Sequence, residues 1–338
     1  MTKKILFTML LILLLIIPIA FFLQSDDIYI SPAGADSNTC RRISPCKSFE
    51  RAENLAQPGD VIHFLKGTYP DTYKVSKSGT QNHPITIIGH NAVLGGMVIS
   101  GSHIIVSNIE VAGSLSHGIM TIGKSIIIRN SSVHHSVTEN GTGPLCNPNN
   151  VSNGWGSGIK VERGSEYITI ENNLVYENCG EGIAVTMGKF VTINNNVSRD
   201  NYSVNIYVDN SSFTTVQNNT IICTGKGYLR DERRATGIAL GEEYYEGWGA
   251  QRHNNNIIKN TIDGCYEGIS SWEPDVSEGI EKNLVIKGNT VINGTYQSIS
   301  LYWINQNVLI ESNIVDIPIF IEKSEGVALY KNKLIYKN

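Results

Sequence analysis

Charge is scarce in this sequence. Asp, Glu, Lys and Arg supply 17% of the 338 residues and the net charge is −4, so there is no basic footprint and nucleic acid is not expected as a partner. No H-x-x-x-H, C-x-x-C or phosphate-loop pattern occurs, which leaves zinc and nucleotide chemistry without support. Apolar residues at helical spacing are missing from the long central stretch 158–222.

That stretch instead carries a row that repeats. GIKVERGSEYITIENNLVYENCGE, GIAVTMGKFVTINNNVSRDNYSV and NIYVDNSSFTTVQNNTII each contain a short alternating apolar run, a polar break, a second β-branched run and an asparagine step. A β-strand period of about 23 residues signals a solenoid in which each row is one coil. The asparagine step falls at Asn108, Asn130, Asn173, Asn196, Asn219, Asn260, Asn289, Asn313 and Asn332, at intervals of 22, 43, 23, 23, 41, 29, 24 and 19 residues. The two long intervals read as a coil plus an insertion. Asparagine suits the step because it tolerates the left-handed conformation of a sharp corner, and its amide can pair with the same residue one coil above and below. The expected fold is therefore all-β, a parallel β-helix. A solenoid of this length can be one body.

The first 26 residues read differently. Lys3 and Lys4 precede an apolar run from Ile5 to Leu23 and then acids, the pattern of an export signal or of a retained membrane anchor. Either way the rest is expected outside the cytoplasm, where six cysteines can pair. Cys40 and Cys46 bracket a short loop and are assigned as a disulfide. Cys223 and Cys265 follow the asparagine step on successive coils, where strands lie ~4.8 Å apart, within disulfide reach. Cys146 is then left with Cys179, although six cysteines allow fifteen connectivities and the last three could be small buried residues. Residues 27–100 read as an N-terminal cap and first coils. Within them, 48–56 has helical spacing and stops at Gln57-Pro58-Gly59. Residues 101–338 carry the repeats, with insertions near 137–155 and 225–254.

The segments IYISPAGADSN, AQPGDVIHF, KGTY and PITIIG resemble the N-terminal segment of many extracellular right-handed parallel β-helix proteins of the pectate-lyase-like superfamily. The later I-x-N-N-x-V steps are similar to that superfamily's generic repeats. The resemblance covers almost the whole exported chain and implies the right-handed fold. It implies little about activity, since the superfamily includes polysaccharide lyases, glycoside hydrolases, uronate epimerases and non-enzymatic surface proteins. The arginine-proline motif and clustered aspartates of classical pectate lyases are missing, as are the Asp-Pro-His motif of alginate epimerases and the paired aspartates of polygalacturonases. No catalytic residue is carried over from the family.

Candidate residues come from strand register. Ile119, Ile159, Ile183, Ile206, Ile238, Ile269 and Ile299 recur at one strand position. If they point inward, alternation aims Met120, Lys160, Ala184, Tyr207, Ala239, Ser270 and Ser300 outward, and beside them Ile122, Glu162, Thr186, Asp209, Gly241, Trp272 and Tyr302. Elimination on a uronate needs a base, charge neutralisation and an acid, and Lys160, Glu162 and Asp209 are the candidates; the alternative is a solvated charged ladder. Glu162 and Asp209 are also candidate oxygen ligands for Ca²⁺. Tyr207, Trp272 and Tyr302 are candidate substrate contacts, and insertions on both sides of the strand would wall a groove for an extended polymer. Arg230–Arg234 with Glu242, Glu243 and Glu246 reads as an ion-paired surface loop, and His134 and His135 as a polar corner. The expected function is an exported polysaccharide-interacting protein, a lyase acting on pectate or alginate. The alternative is a non-catalytic glycan-binding or structural surface protein.

Overall fold

A computed structural model describes residues 27–147, 155–248, 252–271, 281–302 and 304–336. The export segment, Trp272 and most of the loop that follows it lie outside the described residues. The chain winds as a parallel β-helix with three strands per coil. One face is a 12-stranded parallel sheet that begins with Asp27–Ile30, Val61–Phe64 and Ile85–Gly89 and ends with Val327–Tyr330. Regular stacking thus starts at Asp27, and the residues before 100 already supply full coils.

The second and third faces are joined at the N-terminal end. Ala92–Ile99 pairs through Val93 and Leu94 with Glu110 and Val111, and through Met97, Val98 and Ile99 with Ile119, Met120 and Thr121. The strand bends at Gly95, where a Cβ would meet the Pro70 carbonyl on the coil below. Beyond this point the two faces separate. The second carries Ser132–His134, Leu174–Tyr176, Val197–Arg199 and Thr220–Ile222, and the third Ser157–Val161, Glu181–Thr186, Val204–Asp209 and Thr236–Gly241.

The isoleucine column holds as expected. Ile119, Ile159, Ile183, Ile206, Ile238, Ile269 and Ile299 are cross-strand partners on successive rungs, and all are fully buried. Each rung aligns one apolar side chain above another at ~4.8 Å, so the core is a stack of identical contacts. The helix Phe49–Leu55 covers the first coils, capped by Ser48, whose Oγ accepts from the Arg51 N–H, and it buries Phe49 and Ala52. Phe49 stacks on Phe64 of the second rung, at 5.7 Å between centroids.

The corner between the first and second faces divides its work between two adjacent residues. Asn172, Asn195 and Asn218 take positive φ and turn the chain. The next residue on each coil, Asn173, Asn196 and Asn219, is buried and forms the amide ladder. Asn173 Nδ2 donates to Asn196 Oδ1 (3.0 Å), Asn196 to Asn219 (3.1 Å), Asn219 to Asn260 (3.0 Å), and the chain continues through Asn289 and Asn313 to Asn332. Asn108 and Asn130 hold the turning position instead, at φ 56° and 51°, and the ladder below Asn173 passes to the Ser131 N–H. Seven of the nine recurring asparagines therefore form the ladder and two make the turn.

Cys40–Cys46 forms as assigned, and the pairings left open by the sequence are Cys146–Cys179 and Cys223–Cys265. The first insertion leaves at the corner between the second and third faces, and Cys146 ties it to Cys179 at the start of the next coil. The 225–236 segment leaves at the same corner one coil beyond Tyr207. The segment after Gly241 leaves at the opposite side of the third face. The loops thus flank one stretch of that face.

Candidate active site

Register puts Lys160, Ala184, Tyr207 and Ala239 side by side on successive rungs of the third face, with Thr186, Asp209 and Gly241 in the neighbouring column. Small residues alternate with large ones here. Ala184 leaves room between Lys160 and Tyr207, and Gly241 lets the Tyr207 ring lie across it, where a Cβ would collide with the ring. The columns point away from the core, as expected, yet they are not solvent-exposed. Lys160 is 8% exposed, Tyr207 4% and Asp209 fully buried, because the loop after Gly241 folds over them. Trp248 of that loop receives the Arg163 guanidinium on its ring at 4.8 Å, which fastens the loop to the coil of Lys160.

What remains open is a pocket of about 270 Å³ bordered by His117, Trp155, Lys160, Glu162, Glu181, Tyr207, Glu243 and Tyr245. Its polar groups form two linked sets. In the first, Lys160 Nζ donates to Thr186 Oγ1 at 2.7 Å and lies 4.0 Å from Glu181 Oε2, which accepts from Ser157 Oγ at 2.7 Å. The Ser157 N–H donates to His117 Nδ1 at 3.1 Å, so the imidazole carries its proton on Nε2. In the second set, Tyr207 OH donates to Glu243 Oε1 at 2.7 Å, and Tyr245 OH donates to Asp209 Oδ2 at 2.7 Å. The Glu243 N–H donates to Asp209 Oδ1 at 3.2 Å.

Burial and crowding of like charge set the protonation of these groups. Burial pushes the Glu181 carboxyl up, against the pull of Lys160 and the Ser157 hydroxyl. Asp209 is pushed up to about 7, first by burial and then by the Glu243 carboxylate, with the Tyr245 hydrogen bond opposing. Burial, then the Asp209 and Glu243 charges, holds Tyr207 well above the ordinary phenol range, so its proton stays on at neutral pH. His117 falls to about 4 because it is desolvated and faces Lys160, so it is neutral. A lysine, a carboxyl driven toward its protonated form and a fixed phenol around one small cavity are groups that proton transfer can use.

The candidates from the sequence divide. Lys160, Glu162 and Tyr207 border the pocket, while Asp209 lies beneath it, held by Tyr245 and Glu243. Tyr302 sits on the same face several rungs away, packed against Phe320 at 5.6 Å, and does not reach the pocket. Trp272 is outside the described residues. Of the two carboxylates expected to hold Ca²⁺, Glu162 Oε1 accepts from the Arg163 N–H (2.9 Å) and both Asp209 oxygens accept hydrogen bonds. Among the described residues, no group of three or more His, Cys, Asp or Glu side chains is arranged to hold a metal. The acidic loop is not the ion-paired surface expected of it, since Glu243 enters the pocket and Glu242 is buried, accepting from Asn210 Nδ2 and the Arg252 N–H. His134 and His135 do form a polar corner, with His134 against Glu110 and His135 against Glu177, both at 3.2 Å.

Five of the named pocket residues escape a strand-register reading. His117, Trp155, Glu243 and Tyr245 stand on corners and loops, where alternation says nothing. Glu181 shares strand parity with the inward Ile183, but as the first residue of its strand it is still rounding the corner. The available signal was local: GEEYYEGW follows the strand that covers Tyr207, an acidic and aromatic run beside the outward column.

Comparison with known proteins supplies the wider frame. Residues 87–240 match the family described as "Right handed beta helix region". Pectate lyase L of Dickeya chrysanthemi is 24% identical over 174 residues, a match covering 44% of this chain and 37% of that relative's length. Among solved structures, a rhamnogalacturonan lyase superposes with a TM-score of 0.64 at 12% identity, over 92% of this chain and 87% of its own. PfbA, a surface adhesin of Streptococcus pneumoniae, superposes with a TM-score of 0.63 at 14% identity, over 84% of each chain. At these identities the superpositions establish the fold.

Proposed function

Since this chain is a right-handed parallel β-helix protein of pectate-lyase-like fold, we propose that it is an exported enzyme that cleaves an acidic polysaccharide by β-elimination in the pocket around Lys160. The observation that carries this reading is the convergence of Lys160, Glu181, Tyr207 and Glu243 on one cavity large enough for about one sugar ring. Three disulfides among the described residues fit an oxidising compartment.

The chemistry follows from how these groups face the cavity. Acting as the base, the Lys160 amine takes the proton from the carbon next to the uronate carboxylate. The electron pair of that C–H bond forms the new C=C bond, and the glycosidic C–O bond on the far carbon breaks. Tyr207 keeps its proton, held on Glu243 Oε1 at 2.7 Å, until this moment and then turns it to the departing oxygen. Glu181, driven toward its protonated form, donates to the substrate carboxylate and offsets the charge that builds there.

The test is a panel of pectate, alginate and neutral glycans with and without Ca²⁺. The readout is the ultraviolet absorbance of an unsaturated uronate end. Appearance of that absorbance on an acidic polymer, and its loss in Lys160→Ala, supports the reading. Binding without any unsaturated product would replace it with the non-catalytic, glycan-binding alternative, for which the superposed adhesin is a precedent in fold.

A further inference from the structure

We propose that a second, arginine-lined pocket beside the Lys160 pocket binds the carboxylate of the adjoining sugar, so that the protein selects polymers with uronates on consecutive rings. The inference rests on the polysaccharide reading above but not on turnover.

The pocket has a volume of about 230 Å³ and is bordered by Arg230, Arg233, Arg234, Tyr266, Ser203 and Glu267. It shares a wall with the first. Val204, which borders the arginine pocket, packs with Ala184, Ala239 and the Tyr207 that borders the Lys160 pocket. The two are also bridged from above, because the Arg230 guanidinium lies over the Trp155 ring at 4.8 Å and Trp155 borders the Lys160 pocket. The two pockets therefore lie side by side, close enough for neighbouring rings of one chain.

The arginines are not spent on the acids around them. The ion pair within the RDERR run, Arg233–Asp231, is 3.6 Å long and solvent-exposed on both sides, where such pairs contribute little. Arg234 Nη1 donates to the Gly264 carbonyl at 3.0 Å, Arg230 Nη1 reaches Ser203 Oγ at 3.4 Å, and Arg233 sits over the Tyr266 ring at 5.2 Å. Each guanidinium presents five N–H donors in a planar fork, and these contacts leave most of them for a ligand. A planar fork matches a carboxylate, which it grips by two parallel hydrogen bonds. One acid lies in the pocket, Glu267, whose carboxyl is pushed up by burial and accepts from Ser300 Oγ at 3.2 Å. Three permanent cations stand against Glu267, whose carboxyl is driven toward its neutral form, and the exposed Asp231, and this balance favours an anion. Charge is thus sorted along the third face, with proton-handling acids on one side of Tyr207 and guanidiniums on the other.

Isothermal titration of the Lys160→Ala protein with polygalacturonate, polymannuronate and the methyl ester of each separates recognition from cleavage. The expected result is tighter binding of a free acid than of its ester. Replacing Arg230, Arg233 and Arg234 together by Ala is expected to weaken binding of the acid by about tenfold or more and to erase the preference over the ester. Arginine-to-lysine replacement at the same positions keeps the charge without the fork and is expected to restore affinity only in part, which distinguishes lost recognition from a collapsed loop. Binding of neither acid, equal binding of acid and ester, or an alanine variant within about twofold of the parent would overturn the subsite. Arginine-dependent binding in a protein that forms no unsaturated product leaves the subsite standing and removes the lyase reading. Undiminished turnover at unchanged KM in the alanine variant does the reverse.

Discussion

The asparagine corner and the third face are built on the same rungs, yet they use them in opposite ways. At the corner nearly every rung presents the same residue, and each amide exchanges hydrogen bonds with its copies above and below. On the third face successive rungs present Met120, Lys160, Ala184, Tyr207 and Ala239, no two alike in chemistry except the alanines that make space. Repetition at a fixed position is what a stack needs in order to hold itself together. Departure from repetition at a position that still has perfect register is where the proposed chemistry sits.

The sharpest way to break this contrast is to delete one member of each region and compare what is lost. Lys160→Ala is expected to lower the elimination rate by roughly 10²–10⁴-fold, the usual span for a general base, with the melting temperature little changed. Asn196→Ala should do the opposite. It removes an amide that donates to Asn219 Oδ1 and the Ile170 carbonyl and accepts from the Asn173 N–H, stranding buried groups on the two neighbouring coils. A loss of about 2–3 kcal/mol in chemical denaturation is expected, with kcat unchanged in the folded protein. If Lys160→Ala unfolds the chain, or Asn196→Ala abolishes turnover without destabilising it, the division between the two regions is wrong.

A smaller effect separates two groups of the site itself. Asp209 binds its proton more tightly in the folded state, with a value near 7 against an ordinary 3.8, so its contribution to stability is full below the ordinary value and is lost as pH rises toward 7. His117 runs the other way. Its folded value near 4 lies below the ordinary 6.5, so it is less readily protonated when folded, and stability gains as pH rises through that interval. The two trends oppose each other between about pH 4 and pH 6.5. Asp209→Asn removes the first, so melting temperature measured across this range should climb more steeply in the variant than in the parent. Parallel curves would show that Asp209 is not the buried acid described.

The sequence announced the fold through residues that recur. The isoleucine column, the asparagine step and the strand period all follow from rungs that solve one packing problem many times, and they were readable without coordinates. Even there one detail escaped, because turning the corner and pairing amides are done by neighbouring residues, and only coordinates assign Asn108 and Asn130 to the turn. The site was legible only where it obeyed the strand: Lys160, Glu162 and Tyr207 came from alternation. Glu181, His117, Glu243 and Tyr245 come from strand starts and loops, whose course depends on long-range packing such as Arg163 on Trp248. The burial of the outward columns could not be foreseen for the same reason.

The Cys146–Cys179 bond has a consequence for how the protein must be made. One sulfur belongs to the long first insertion and the other to the rung just ahead of Glu181, with Val137, Tyr202 and Trp155 packed around them. Thiols left unpaired would not disturb the isoleucine spine, so material from a reducing host can look native by circular dichroism while the wall carrying Trp155 hangs loose. Oxidation is therefore expected to matter more for the cavity than for the scaffold, and a well-folded preparation that no longer binds its polymer would be its signature.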